Sequence, residues 1–550
     1  MKFKNFLYII FLTTYYSFSQ ENNSSINGDF INNFQSYNDD PLIGAIAPEE
    51  KVLNNAYLNV IYTKNNFSIG LRYESYLNAL MDFDSEFQGN GIPYRYITYT
   101  ADGLEVTAGN YYEQFGSGLI LRTYEDKGLG IDNAMDGIKL RLNPISGVYL
   151  KSFIGRSRTY FNYSEGIIRG VDMEMDINEM LRIENNGSYI FGSSIVSRFQ
   201  EDNNPKFNLP QNVAAFSNRL NIMHSGFNYY IEYAYKFNDP VGSFSLESNN
   251  YAPGKALLSN LSYSKKGIGI NIESHWIDHM EFRSERAKEK EFIINYIPTI
   301  SKQHTYTLLA LYPASTQMEG EFGVQADIFY KLKKGSLLGG KYGTKININF
   351  SKINAIKNGT SFLNDSLNIR SPFLSYDNDK LYFTDFNIEI NKKLDKKTKI
   401  NFIVSNQKYN KDILEGKTPG EYGTIQSTIG VVDISYKIKK GHTIRIESQA
   451  LRSKPDPNAT KKGDGHWVML LSEYTISPNW FFSIQDMYNF GNYDQTQRLH
   501  YINATFGYII GSNRFEIGYG KKRAGIFCVG GVCKEVPASN GLNINISSSF

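Results

Sequence analysis

Two cysteines in 550 residues leave room for one disulfide and none of the repeated spacings of a zinc module. Past the N-terminus no stretch reaches the roughly 18 consecutive apolar residues of a spanning helix. The mature chain therefore spans a membrane as strands or not at all. Proline (16) and methionine (11) are scarce. A surplus of charge is missing too: 58 lysine plus arginine against 55 aspartate plus glutamate, a balance of +3. Such balance argues against a nucleic-acid partner or a strongly basic membrane-surface role. What abounds is tyrosine (40) and phenylalanine (36), and aromatics with few helix breakers favour a pleated, half-buried surface. Mean hydropathy is −0.39. A barrel strand offers lipid only alternate residues and dilutes its own hydropathy, so that value is compatible with a membrane.

The N-terminus points to export. Lys2 and Lys4 form a basic start, Phe6 to Tyr16 is apolar, and Ser17 and Ser19 occupy the small-residue positions of a cleavage site. The apolar stretch is too short for a spanning helix, which needs about 20 residues. Residues 1–19 are expected to be a signal peptide, with Gln20 the first mature residue and 20–550 a single barrel domain. No cysteine follows the apolar stretch, so no lipoprotein is indicated.

Apolar and polar residues alternate with period 2 almost to the C-terminus. Phe227, Tyr229, Ile231, Tyr233, Tyr235 and Phe237 share one face, opposite Asn228, Glu232, Lys236 and Asn238. Ile346, Ile348 and Phe350 alternate with Lys345, Asn347 and Asn349, and Phe515, Ile517 and Tyr519 with Arg514, Glu516 and Gly518. Connector lengths alternate as well. Tight turns at Asn65-Asn66, Lys265-Lys266, Lys333-Lys334-Gly335, Lys439-Lys440 and Gly511-Ser512-Asn513 interleave with long connections. Outer-membrane barrels have short periplasmic turns and longer outer loops. The expectation is all-β: one up-and-down antiparallel transmembrane barrel of about 26 strands (about 24 to 28), both ends on the tight-turn side. In the last strand Leu542, Ile544, Ile546 and Phe550 share a face, the arrangement of an insertion signal.

Tyr112 to Leu119, with Arg122-Thr123-Tyr124-Glu125 and Gly130-Ile131-Asp132-Asn133, form a distinctive set. With Phe67 to Glu74 and Gly89-Asn90-Gly91-Ile92, they give the chain its resemblance to an uncharacterised outer-membrane β-barrel family of Bacteroidota, a domain of unknown function. The resemblance is densest from 56 to 180. It implies a Gram-negative outer membrane in that phylum and carries no activity across.

Candidate chemistry is sparse. Asp172, Glu174 and Asp176 share a strand face, plausible as an acidic ladder on the lumen wall. His275 and His279 would be about 13 Å apart on a strand, too far to share a metal; Glu273 and His275 point to the lumen and Trp276 to the membrane girdle. Cys528 and Cys533 have a hairpin spacing that favours a disulfide. A barrel this wide needs filling, and the segments 112–135 and 352–379 are expected to fold inward. Gly116, Ser117 and Gly118 would permit the bend, while Arg122, Glu125, Asp126, Asp132 and Asp136 pair with lumenal charges. No catalytic, metal or cofactor constellation emerges. The expected partners are outer-membrane lipid, the insertion machinery during biogenesis, and other proteins if the barrel belongs to a complex. The leading expectation is a pore or channel component for solutes or cargo; the alternative is a scaffold subunit of a secretion, assembly or gliding complex.

Overall fold

The computed structural model describes residues 24–184, 187–203, 208–240, 251–286, 292–357 and 371–550; the expected signal peptide lies outside them. Alternation along the chain builds one 24-stranded sheet, in which each neighbouring pair of strands is antiparallel. It closes on itself where Ser24–Ser36 pairs with Ser539–Ser549, from Asp29 opposite Ser549 to Gln35 opposite Asn543. Closure removes the two edges that an open sheet would expose. Phe550 extends the seam through two backbone hydrogen bonds with Gly28, at 2.9 and 3.0 Å. The Phe550 ring sits so close that a β-carbon at Gly28 would lie 2.5 Å from it. The strand number falls at the low end of the expected range because 112–134 supplies no wall strand. Its two-residue strands Glu125–Asp126 and Ile131–Asp132 pair only with each other.

The pleat sends alternate side chains to opposite faces, and burial identifies them. In Phe227–Pro240, Glu232 and Lys236 are fully buried inside, whereas Phe227 and Phe237 are about half exposed outside. Phe350, Phe402, Val404, Phe515, Ile517 and Tyr519 are likewise exposed on the outer face. Aromatic pairs face each other across strands near the tight turns: Phe67 with Tyr99 at 5.0 Å, Phe227 with Tyr263 at 4.5 Å, Trp480 with Tyr508 at 4.1 Å. An apolar outer band with aromatic rings at its boundary and a polar, filled interior is the outer-membrane type of barrel.

Most connections at one end are tight, as between Lys64 and Phe67 or Ile510 and Asn513. Lys333-Lys334-Gly335 is not a tight turn: the chain runs from Leu332 to Thr344 before the next strand begins. Glycines at 335, 339, 340 and 343 keep this excursion compact, with Gly335 N–H donating to Gly340 O at 2.8 Å. At the other end the connections are longer, and two of them turn inward and fill that half of the lumen.

Candidate functional site

The filling, or plug, has two main parts. One is 112–134, ending where the wall strand begins at Met135; the expectation from the sequence was an inward fold of 112–135. Phe115, Leu119, Ile120 and Leu121 are completely buried in its centre. The other is formed by 279–286 and 292–319, between Ile268–Asp278 and Gly320–Leu332, and sequence reasoning missed it. Phe282, Ile294 and Ile297 join the first part in one apolar cluster. Leu308, Leu309, Leu311 and Tyr312 join wall residues Ile403, Ile429, Leu451 and Trp467 in a second. Burying each large apolar side chain contributes about 1.5–3 kcal/mol. The wall makes room with small inward residues, Ala215, Ala234 and Ala256, against the first cluster. A signal for 279–319 existed: Ile293-Ile294 and Leu308-Leu309-Ala310-Leu311 are apolar runs with no strand period.

Polar anchors fix the plug in place. Ser117 donates through its N–H and its Oγ to the Glu232 carboxylate, at 2.8 and 2.6 Å, and Tyr230 donates to the same group. Gly116 adopts φ +52° there, and a β-carbon would lie 2.6 Å from that carboxylate, so glycine is required on both counts. Asp132 binds the guanidinium groups of Arg72 and Arg158 and accepts from Tyr112 at 3.0 Å. Glu74 completes the cluster, 2.6 Å from Arg158 and 2.8 Å from Arg72. Glu125 pairs with Arg72 at 2.9 Å. Burial lifts the Glu125 carboxyl above its ordinary range, against the opposing pull of Arg72 and Lys127. In the second part, His304 meets Asp385 at 2.6 Å and Lys302 meets Glu389 at 3.2 Å.

The cysteines form a disulfide in the hairpin Gly525–Val529 and Val532–Val536. Its tip reaches over the plug: Gly530 O accepts from Tyr296 Oη at 2.8 Å, and Gly531 O from Thr316 N–H at 3.1 Å. The cross-link therefore clamps a strap on the filling rather than ending a free loop.

A family of unknown function, DUF6029, matches residues 1–550. The chain belongs to it. No curated protein matches the sequence. Among solved structures, the DUF6029 barrel is similar to the translocation pore of the P pilus usher PapC, at 10% identity and TM-score 0.45, covering 96% of this chain and 99% of that one. It is also similar to the ferric enterobactin receptor PfeA of Pseudomonas aeruginosa, at 9% identity and TM-score 0.43, covering 95% and 80%. OccK3 (OpdO) of Pseudomonas aeruginosa follows at 6% identity and TM-score 0.31, covering 96% of each chain.

The other candidate residues of the DUF6029 barrel are engaged by near neighbours. Asp172 and Glu174 face the lumen, but Arg219 meets each at 2.8 Å and Lys151 lies 3.7 Å from Asp172. Asp176 leaves the ladder to cap the short helix Ile177–Leu181. Arg122 finds aromatic rings rather than a charge, 4.0 Å from the Tyr296 centroid and 5.1 Å from Tyr124. Asp126 accepts from the Leu129 N–H. Asp136 is not in the plug: it lies on Met135–Ile145, on the outward face with Ile138, and pairs with Arg95. Strand parity decides this, since Lys139 and Arg141 take the inward positions.

His275 does face the lumen and meets Glu321 at 2.7 Å, while His279 follows the strand and meets Asp278. Among the described residues no group of three or more His, Cys, Asp or Glu side chains is placed to hold a metal ion. The expected inward fold of 352–379 is corrected where the segment is described. Phe373 and Tyr376 pack outside the wall, on Trp276 and Phe322, and Ser375 O accepts from Trp276 Nε1 at 2.9 Å. Trp276 has outward parity and is covered by this segment. Residues 358–370 of the expected inward loop lie outside the described residues.

Proposed function

We propose that the protein is a pore or channel component of the outer membrane for solutes or larger cargo, with its own loops holding the outer half of the lumen shut. The observation that carries this reading is the uncovered half of the lumen. Near the tight turns, inward positions such as Asn260, Asn271, Glu273 and Asn347 are polar and only half-buried, a lining suited to water rather than to a packed core. In this orientation the tight turns are periplasmic, and residues 1–19 act as the export signal for the domain 20–550. The outward band contacts lipid, and Phe550 with Leu542, Ile544 and Ile546 is read by the insertion machinery. The motif resemblance supports an origin in Bacteroidota. The reading is non-catalytic, because the lumenal charge clusters described above anchor the plug.

Planar-bilayer recording tests it. Purified folded protein should conduct ions, weakly at rest and more strongly once the plug is loosened. Bilayers that stay sealed with both intact and plug-loosened protein would count against a pore.

One observation favours the scaffold alternative. Leu337 is 97% exposed and Leu338 67% exposed on the long excursion at the tight-turn end, an unusual apolar offering in water. Under that reading a pull-down in gentle detergent recovers a stoichiometric partner, and recovery of a lone barrel removes it.

A further inference from the structure

The tight-turn mouth of the lumen is basic along one arc. Lys331, Lys345, Lys393, Lys399 and Lys437 lie near the tight-turn ends of five consecutive strands: Gly320–Leu332, Thr344–Asn354, Leu381–Lys393, Thr398–Asn410 and Thr424–Lys439. Alternation fixes their direction. Each is an even number of residues from a buried inward side chain of its own strand, namely Gln325, Asn349, Asp385, Ser405 and Val431. All five therefore face the lumen.

Register crowds them. Lys331 stands directly opposite Lys345, and Lys393 directly opposite Lys399. Like charges in opposed positions destabilise an antiparallel pair, and the neighbouring carboxylates are engaged elsewhere. Glu389 is held by Lys302, Asp433 by Arg445, and Asp327 accepts from Asn349 and Gln325. Lys393 rests on the Tyr342 ring, 4.9 Å from its centroid, which spares its positive charge. Turn lysines such as Lys266, Lys334, Lys396 and Lys440 have an ordinary explanation in lipid headgroups at the membrane boundary. Inward lysines do not reach that boundary.

We propose that this arc recruits multivalent anionic solutes, bearing carboxylate or phosphate groups, to the periplasmic mouth of the lumen. The proposal deepens the pore reading and rests on it for transport, though not for binding. Neighbouring strands are about 4.8 Å apart, so five span about 19 Å, wider than one phosphate. The arc acts as a field over the mouth rather than as a fitted pocket. Lysine suits such a field because it is a compact charge on a flexible stem, where arginine would impose a fixed fork. Fields of this kind raise the local concentration of counter-ions and weaken with salt.

The test uses the full barrel in an uncharged detergent with pyranine, a trisulfonated pyrene dye, as the anion, followed by fluorescence anisotropy. Reversal potentials in planar bilayers under a KCl gradient are measured on the same protein. One variant combines Lys331→Gln, Lys345→Gln, Lys393→Gln, Lys399→Gln and Lys437→Gln; a second combines Lys266→Gln, Lys334→Gln, Lys396→Gln and Lys440→Gln. Relief of like-charge pairs favours folding of the first, and circular dichroism checks both. The first variant should bind the dye about tenfold more weakly and shift selectivity from anions toward cations, with the second close to the wild type. Wild-type affinity should fall with salt. Equal binding by the first variant, or an equal loss in the second, overturns the proposal. Lysine-dependent binding without conductance leaves the proposal standing and removes the pore. Conductance with no anion preference and no binding does the reverse.

Discussion

Replacing Asp132 with alanine should free the plug segment 112–134 without unfolding the wall. Asp132 sits in a cluster of three cations, Arg72, Arg158 and Lys127, and three anions, Glu74, Glu125 and Asp132. Arg72 is 4% exposed and Arg158 2%, so neither can turn to water when its partner goes. Asp132→Ala leaves one buried positive charge uncompensated and strips Tyr112 of its acceptor. Breaking a buried pair from one side costs about 3–5 kcal/mol. Arg72 and Arg158 stay fixed on the wall through Glu74, so the cost falls on docking of the plug. Amide hydrogen exchange reads this directly. Protection across 112–134 should fall roughly a hundred- to a few-thousand-fold, while wall strands such as Asn212–His224 keep theirs. Asp132→Asn, which keeps the shape and an acceptor, should fall between. Conductance should rise with the loss of protection. Unchanged exchange in 112–134 would refute the idea that this cluster holds the plug, and equal loss in the wall would refute the separation of plug from barrel.

Other expectations follow from the same geometry. Replacing Cys528 and Cys533 with serine should cost about 2 kcal/mol for so short a loop, seen as faster exchange at the Thr299 and Thr316 amides that donate to the hairpin tip; unaltered exchange there would show that the strap holds without its cross-link. Because burial raises the folded-state value for Glu125, its protonation adds stability that is fully present below the ordinary carboxylate range. That stability is lost as pH rises through the raised value. Protection factors across 122–134, taken relative to the intrinsic exchange rate at each pH, should therefore rise on acidification, and Glu125→Gln should flatten that slope; a slope that persists in the variant assigns it to another group. Ile446, 44% exposed and opposite Ile434 on the outer face, should tolerate arginine poorly. Ile446→Arg should cost about 2–4 kcal/mol if the site faces mid-bilayer, measured by denaturant titration in lipid vesicles, and a neutral result would place it outside the apolar band.

The sequence by itself determined the wall. A two-residue period is a local property, so Phe227 to Phe237 and Leu542 to Phe550 declare their faces without knowledge of any neighbour. Connector length is local too, and it distinguishes the two ends of the barrel. The inward bend at 112–134 was legible because Gly116-Ser117-Gly118 breaks the period where a wide lumen needs filling. What only the tertiary structure decided is where the broken-period segments go. Ser117 meets Glu232 across 115 residues of sequence, Arg158 meets Glu74 across 84, and Tyr296 meets Gly530 across 234. Nothing near 279–319 announces Ile403 or Leu451 as its packing partners, and nothing near Phe373 announces that Trp276 waits outside the wall rather than inside. Asp136 shows the limit at a single residue. Its charge is plain in the sequence, but its direction depended on where the plug ended and the strand began, a boundary set by Met135 burying itself against the filled lumen.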